Sequence, residues 1–544
     1  MAGLAEREKT SAGLPRRKFP VDLPRWLVIA VPALTAFGIN VAGLSGPSLW
    51  RDEAYTRDAI NRSLSHLLSL LHHTDAVHGA YYVLMHFVCE VIGTSDFALR
   101  LPSVCAMAVA TGFTAAIGRR SSVLAGLSGR WADATGLLAG LVFATAPYAT
   151  YYAQMARSYA FVTMFATAAS YLLLRTWADG GWRWWTGYAV AVACTGLFNT
   201  FGLLIIPAHA LTVLAVGSGS AGSSSAASAG SDAESGSRAE SGAARWLRRM
   251  AGPWLVAAAV AVVVLVPLLL LSFRQRGQIS WLTKPDYNTL VDLVRAFAGS
   301  RELVLPIALL ALGGIAAGVF GALNGRRMSP AAIALPWLVL PPVVLIAVSM
   351  VKPVYNGRYI EFCLPALAIL VAAGLVGMVR VLLGTPLRPV AWVPAAVVVV
   401  ALAALLISPQ HAIRQSSARP DNLRLASQIV AANERPGDVV FYLPVNMHVL
   451  GTGYPAPFLK LRDIALAQSP IASATLTGTE VSTPAELASR FTDVSRVWVV
   501  TGGSGDKFPT PGNPVDKEKL ALLSGWHIVH RWMAGEVMLT LYAR

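Results

Sequence analysis

Windows of roughly 20 apolar residues, the length that crosses the hydrocarbon core of a bilayer, recur along this chain from Trp26 to Ser408 and then stop. Segments of that kind satisfy their own backbone as helices. They leave the chain little choice of architecture. The composition agrees: 55% of the 544 residues are hydrophobic, only 13% are charged, and the mean hydropathy is +0.55, outside the balance of an ordinary soluble domain. The chain is read as an integral membrane protein.

A formal charge of +15 raises the question of a nucleic-acid partner, which the position of the charge answers. Residues 409–544 carry 13 Lys/Arg against 11 Asp/Glu, so nearly all the excess lies in the membrane half. There it forms short clusters between apolar segments, LPRRKFP, GRR, RWLRR and NGRRM, the pattern of cytoplasmic loops. Nucleic acid is excluded as a partner. Cys89, Cys105, Cys194 and Cys363 all fall in apolar segments, and their spacing spells neither a disulfide framework nor a zinc motif.

Holding each basic cluster inside sets the topology. Residues 1–25 form a basic cytoplasmic N-terminus, followed by an uncleaved first helix at about 26–44 that delivers SLWRDEAYT to the outer face. HGAYYVLMHFVCEVIG, about 15 residues long and containing Glu90, is too short to cross and is expected to lie at the interface. Spans then follow at ALRLPSVCAMAVATGFTAAIG, at about 134–150 and 159–175, and as a pair over 184–216. Four residue ranges of the second half, 253–272, 303–322, 331–350 and 360–380, and a last one at 390–408, complete eleven crossings. Residues 26–408 thus make a transmembrane domain whose first outer loop is 46–98. Residues 217–244, Gly/Ser/Ala-rich and poor in large apolar side chains, are expected to be a disordered cytoplasmic linker. Residues 409–544 should be an extracytoplasmic α/β domain: NLRLASQIVAANERPGD has helical spacing, and VVFYLP, RVWVVTG, HIVHRWMAG and EVMLTLYAR read as buried strands.

The candidate chemistry gathers at the outer face. Asp52 and Glu53, beside Trp50, Arg51 and Tyr55, form an acidic pair walled by aromatic rings, a setting that tunes a general base; Arg51 is expected to keep Asp52 ionised. Asp75, His78, Tyr81 and Tyr82 in HHTDAVHGAYY are candidates for substrate contact, and His72 and His73 beside them leave a divalent metal open. No other cofactor is implied. Gln154 and Arg157 in YYAQMARSY, and Lys352, Arg358 and Tyr359 in KPVYNGRYIEF, bring cations to the outer boundary, where the charge rule makes them less expected, and resemble a phosphate clamp. A carboxylate base, outer cations and an interfacial helix suit a reaction on a lipid phosphate: the cations neutralise the leaving phosphate while Asp52 deprotonates an acceptor hydroxyl, and displacement inverts the sugar carbon.

LWRDEAYT, DAVHGAYYVLMH, ALRLPS, AQMARSY and NGRYIEFCLPALAIL together resemble the GT-C superfamily of polyprenyl-phosphate-sugar glycosyltransferases, and within it glycosyltransferase family 39, the protein O-mannosyltransferase-like branch of actinobacteria. The resemblance covers roughly residues 26–380. It implies a plasma-membrane enzyme that moves mannose or a related sugar from a polyprenyl-phosphate donor to an extracytoplasmic acceptor. It also implies that the family's catalytic aspartate falls on Asp52, its acidic companion on Glu53, and its phosphate-binding arginine on Arg358 or Arg157. A transporter or lipid flippase is the rival reading for so many spans; the absence of an inverted repeat, and the clustering of polar residues at one face instead of mid-membrane, weigh against it.

Overall fold

The computed structural model describes residues 24–227, 246–324, 328–503 and 511–544. The first helix is α1 (Arg25–Val41); the loop after it carries α2 (Arg51–Ile60), α3 (Leu64–His73) and α4 (Gly79–Ile92), and the chain re-enters the bundle through α5 (Asp96–Leu124). It continues through α6 (Gly129–Thr145), the short α7 (Pro147–Ala153), α8 (Tyr159–Asp179) and a further helix, Trp182–Phe198. The N-terminal stretch 1–23 and most of the Gly/Ser/Ala segment lie outside the described residues. Where the linker was expected from residue 217, the helix that starts at Ile205 runs on to Ala227, an Ala- and Ser-rich stretch that the helical backbone tolerates.

Every one of the eleven segments expected to cross is helical. Among the described residues, seven helices are long and apolar enough to cross by those criteria alone: Asp96–Leu124, Thr200–Gly217, Arg249–Arg274, Val304–Leu323, Pro330–Val351, Glu361–Leu383 and Arg388–Ala412. The other four are α1, α6 and Trp182–Phe198, each 17 residues long, and α8, whose apolar run is broken by Thr163, Thr167 and Ser170. Helices α5 and Leu364–Leu383 are largely buried inside the bundle, whereas Trp392–Ala412 has no buried residue. Close approach uses small residues. Gly314 and Gly374 bring helices Val304–Leu323 and Leu364–Leu383 so near that a Cβ on Gly374 would lie 1.9 Å from the Leu310 carbonyl oxygen, the device by which helices in lipid gain dispersion contact.

The tail forms the small sheet domain anticipated from its strand pattern. β1 (Val439–Leu443), β4 (Arg496–Gly502), β5 (His527–Ala534) and β6 (Val537–Ala543) join in the order β1-β4-β6-β5, with β1 and β4 parallel and the other pairs antiparallel; β2 (Leu466–Gln468) and β3 (Thr479–Glu480) make a separate ribbon. All five residues of β1 are buried, because both faces of the sheet are covered. Val440, Tyr442, Trp498 and Leu539 pack with Leu423 and Val430 of helix Leu423–Asn433, while Phe441, Val497 and Val499 pack with Leu487 and Val515.

One buried guanidinium ties the loop after α1 to the bundle. Arg100, near the start of α5 and fully buried, donates through Nε and Nη2 to the two oxygens of Glu53 at 2.7 Å each, through Nη1 to the Leu44 and Pro47 carbonyls at 2.9 Å, and through Nη2 to Ser48 O at 3.0 Å. All five of its donors are used. Glu53 also accepts the Ala156 N–H at 2.9 Å. Removing one partner of a buried ion pair leaves an uncompensated charge and costs about 3–5 kcal/mol. Glu53→Gln should therefore lower the midpoint of thermal unfolding in detergent and the yield of monodisperse protein, while Lys352→Ala, at an exposed position without an ion pair among the described residues, should leave both unchanged.

Candidate active site

Asp52 and Glu53 stand in the first turn of α2, where acidic side chains complement the positive end of the helix. Adjacent residues on a helix point about 100° apart, and here the two carboxylates part company. Glu53 turns inward to Arg100 and is fully buried. Its Oε1 accepts from Arg100 Nε and the Ala156 N–H and its Oε2 from Arg100 Nη2, so it stands behind Asp52 as a supporting residue. Asp52 turns the other way, is partly open to solvent, and forms an ion pair with Arg358, 306 residues away.

Arg358 lies on the turn Gly357–Tyr359 between two spans. Its backbone N–H is held by the Asn356 side chain at 3.3 Å, and its guanidinium lies 5.7 Å from the centre of the Trp281 ring and 5.8 Å from that of Tyr359. Tyr359 in turn stacks on Phe201 at 4.6 Å. Burial disfavours the charge on Arg358, but neighbouring Tyr159 and Asp52 outweigh it and raise its pKa, so it stays a cation.

Arg157, buried in the bend before α8, lies close enough to Asp52 and Arg358 to interact electrostatically with both. Its Nη1 donates to the Tyr82 hydroxyl at 2.6 Å, and that hydroxyl donates to Asp75 Oδ2 at 2.5 Å. Asp75 occupies the left-handed region at φ 61°. It is kept there by two glutamines that the sequence reading did not single out: Gln278 Oε1 accepts the Asp75 N–H at 3.3 Å and Gln275 Oε1 accepts the Ala76 N–H at 2.9 Å. A polar QRGQ stretch directly after the apolar helix Gly252–Arg274 is the available signal. His78 is buried beside Tyr82 and Tyr159, with Nδ1 3.3 Å from Ser158 Oγ. Burial pushes its pKa well below the usual histidine range, Arg157 and Arg358 push it further, and Asp52 only partly offsets them. The ring is neutral.

Tyr55 is half-buried on α2, its phenol pKa raised by burial and by the Asp52 and Asp75 carboxylates. Tyr81 is fully buried, edge-on to Phe161 at 5.8 Å. Three expected residues stand elsewhere. Arg51 does not hold Asp52; it pairs with Asp421 of the tail, Nη2 to Oδ1 at 2.8 Å. Gln154 is buried and donates to the Asn40 and Ala42 carbonyls at 2.8 and 2.9 Å, fastening the end of α1. Lys352 is exposed, and its side chain has no hydrogen-bond or ion-pair partner among the described residues. Nor do the residues suit a divalent metal: among the described residues no three His, Cys, Asp or Glu side chains converge, His72 and His73 are exposed, and Asp75 and His78 are engaged as above.

A bundle of long apolar helices joined to a small sheet domain is a fold that solved membrane-protein structures share. Two solved structures carry that likeness. The structure is similar to ArnT from Cupriavidus metallidurans in the apo state, at 15% identity and a TM-score of 0.54, covering 95% of this chain and 97% of that one. It is similar also to the same protein bound to undecaprenyl phosphate, at 14% identity and a TM-score of 0.53 over 95% and 97% of the two chains. No protein-family model and no curated protein matches the sequence.

The neutral His78 makes stability depend on pH. An unfolded histidine takes up a proton near pH 6.5 that the native ring refuses, so stability is full above that pH and falls as pH drops towards the lowered native pKa, by at most about 1.4 kcal/mol per pH unit. Thermal unfolding in detergent should show a lower midpoint at pH 5.5 than at pH 7.5, with a smaller difference in His78→Gln; in ¹⁵N-histidine spectra the His78 ring should not titrate between pH 8 and 6.

Proposed function

We propose that the protein is an inverting membrane glycosyltransferase, protein O-mannosyltransferase-like, that moves mannose or a related sugar from a polyprenyl-phosphate donor to an extracytoplasmic glycan, lipid or protein acceptor. In this reading all eleven helical segments cross the plasma membrane, the N-terminus is cytoplasmic, and the basic clusters lie inside. Residues 46–98 and 409–544 then share the outer side.

One observation carries the proposal: Asp52 and Arg358, 306 residues apart, meet as an ion pair, with the Arg157 guanidinium near enough to act on Asp52 electrostatically. A fold-mate bound to undecaprenyl phosphate supports a lipid phosphate as the ligand of such a place. In the resting enzyme the Asp52 carboxylate is matched by Arg358. A donor phosphate competes for that guanidinium and frees the carboxylate to act. The acceptor oxygen then attacks the anomeric carbon as its proton passes to Asp52. The bond from that carbon to the phosphate oxygen breaks, and the electron pair leaves with the polyprenyl phosphate. The phosphate gains one negative charge in this step, which Arg358 and Arg157 are placed to stabilise as it develops. Neutral His78 adds no competing charge and can donate or accept one hydrogen bond to the sugar.

The test is transfer of labelled sugar from polyprenyl-phosphate mannose by membranes that contain equal amounts of each variant. Asp52→Asn should lower transfer by about 10²–10⁴-fold, and Arg358→Ala by about 10²–10³-fold. Wild-type transfer by Asp52→Asn removes Asp52 as the base, and a panel of other polyprenyl-phosphate sugars decides the donor.

A further inference from the structure

Helix α2 carries Asp52 in its first turn, yet the residue before it supplies no cap: Trp50 is extended, at φ −117° and ψ 175°, and makes no side-chain hydrogen bond to the helix. A first-turn N–H without an intrahelical partner ordinarily draws one from such a residue. The Arg51 N–H is bonded all the same. It donates at 3.1 Å to Oδ2 of Asp421, 370 residues later in the chain. The Asp421 carboxylate, fully buried, also receives Arg51 Nε and Nη2 at 2.8 Å each. A single carboxylate thus satisfies an orphan donor, complements the positive end of the helix and grips a planar cation through two parallel bonds.

Asp421 is itself held by the sheet. The Asn422 N–H donates to Ala534 O at 3.0 Å and the Glu536 N–H to Pro420 O at 2.8 Å, and Asp421 bridges Gly535 in the turn between β5 and β6. Gly535 has φ +66°, and a Cβ there would lie 2.3 Å from Pro420 O, so only glycine lets the turn come this close. On its other side the tail's core runs into α2, where Ala54 is buried with Leu423 and Leu450.

We propose that Asp421 is a positioning residue for Asp52: the soluble domain caps the helix of the proposed base from outside and sets where its carboxylate stands. The proposal rests on the assignment of Asp52 above. Glu53 anchors the first turn to the bundle through Arg100, and Asp421 anchors its leading end to the sheet. Asp52 lies between these anchors, and its own partner, Arg358, is the group a donor phosphate is proposed to take. Once that happens, Asp421 and Glu53 hold the turn in place.

The experiment compares full-length Asp421→Ala, Asp421→Asn and Gly535→Ala with wild type by two readouts: hydrogen–deuterium exchange over residues 51–60, and transfer kinetics with polyprenyl-phosphate mannose. Asp421→Ala should speed exchange in 51–60 without changing it in Leu364–Leu383, and should lower kcat by about 10- to 100-fold, as small misplacements of reacting groups do, with donor KM within about twofold. Asp421→Asn, whose amide oxygen still accepts the Arg51 N–H, should fall between, and Gly535→Ala should repeat the Asp421→Ala pattern. Unchanged exchange in 51–60 overturns the proposal, and so does a loss confined to KM or to the amount of folded protein. If Asp52→Asn transfers like wild type, the base assignment falls, and the exchange result alone then decides whether Asp421 caps α2.

Discussion

The Arg100 guanidinium is the point on which the end of the molecule that carries α2 depends. A cation withdrawn from water is tolerable only where every donor finds an acceptor, and Arg100 finds five: two on Glu53 and three carbonyls of residues 44–48. The loop after α1 is thereby wrapped onto the start of α5, and α2 is fixed with Glu53 pointing inward. Because neighbouring residues on a helix cannot share a direction, Asp52 is left facing out. The placement of the candidate base follows from the burial of its neighbour.

A second polar hub works at the junction with the tail. Asp96, also near the start of α5, accepts from Arg57 of α2 and from Arg424 and Tyr454 of the tail, and Tyr454 Oη accepts the Leu49 N–H at 3.1 Å. Arg419 lies 3.8 Å over the Tyr151 ring and donates to the Tyr151 and Gln154 carbonyls at 3.1 and 2.8 Å. The charges of the tail are nearly balanced in number, and several of them serve this seam. The sheet domain is joined to the loop of the candidate site by charge-assisted bonds at partly buried positions, where such bonds are stronger than at an open surface.

Much of the architecture was legible because the bilayer demands long apolar runs and because strands buried on both faces, such as Val439–Leu443, are continuously apolar. Asp52, Arg157, Arg358, Asp75, Tyr82 and His78 were also legible as polar groups at one boundary, and the structure gathers them there. The partners of Glu53, Arg51 and Gln154 are not legible in the sequence for a common reason. A polar residue beside a candidate base has the same letter whether it faces the site or a buried partner, and those partners, Arg100, Asp421 and the end of α1, lie 47, 370 and 112 residues away or more. Gln275, Gln278 and Ser158 were passed over because an uncharged side chain announces nothing until its geometry is known.

Sequence by itself determined that this chain carries helices of membrane length, that basic clusters stand between them, that its tail folds as a sheet, and where along the chain the candidate reactive groups stand. These are local properties: hydropathy over a window, periodicity over a few residues, charge beside a span. Only the tertiary structure decided which carboxylate faces Arg358, which is sealed against Arg100, and that Asp421 stands at the head of α2. Those choices are made by complementary charges meeting across hundreds of residues, where the cost of burying each group unpaired selects the one arrangement that pairs them.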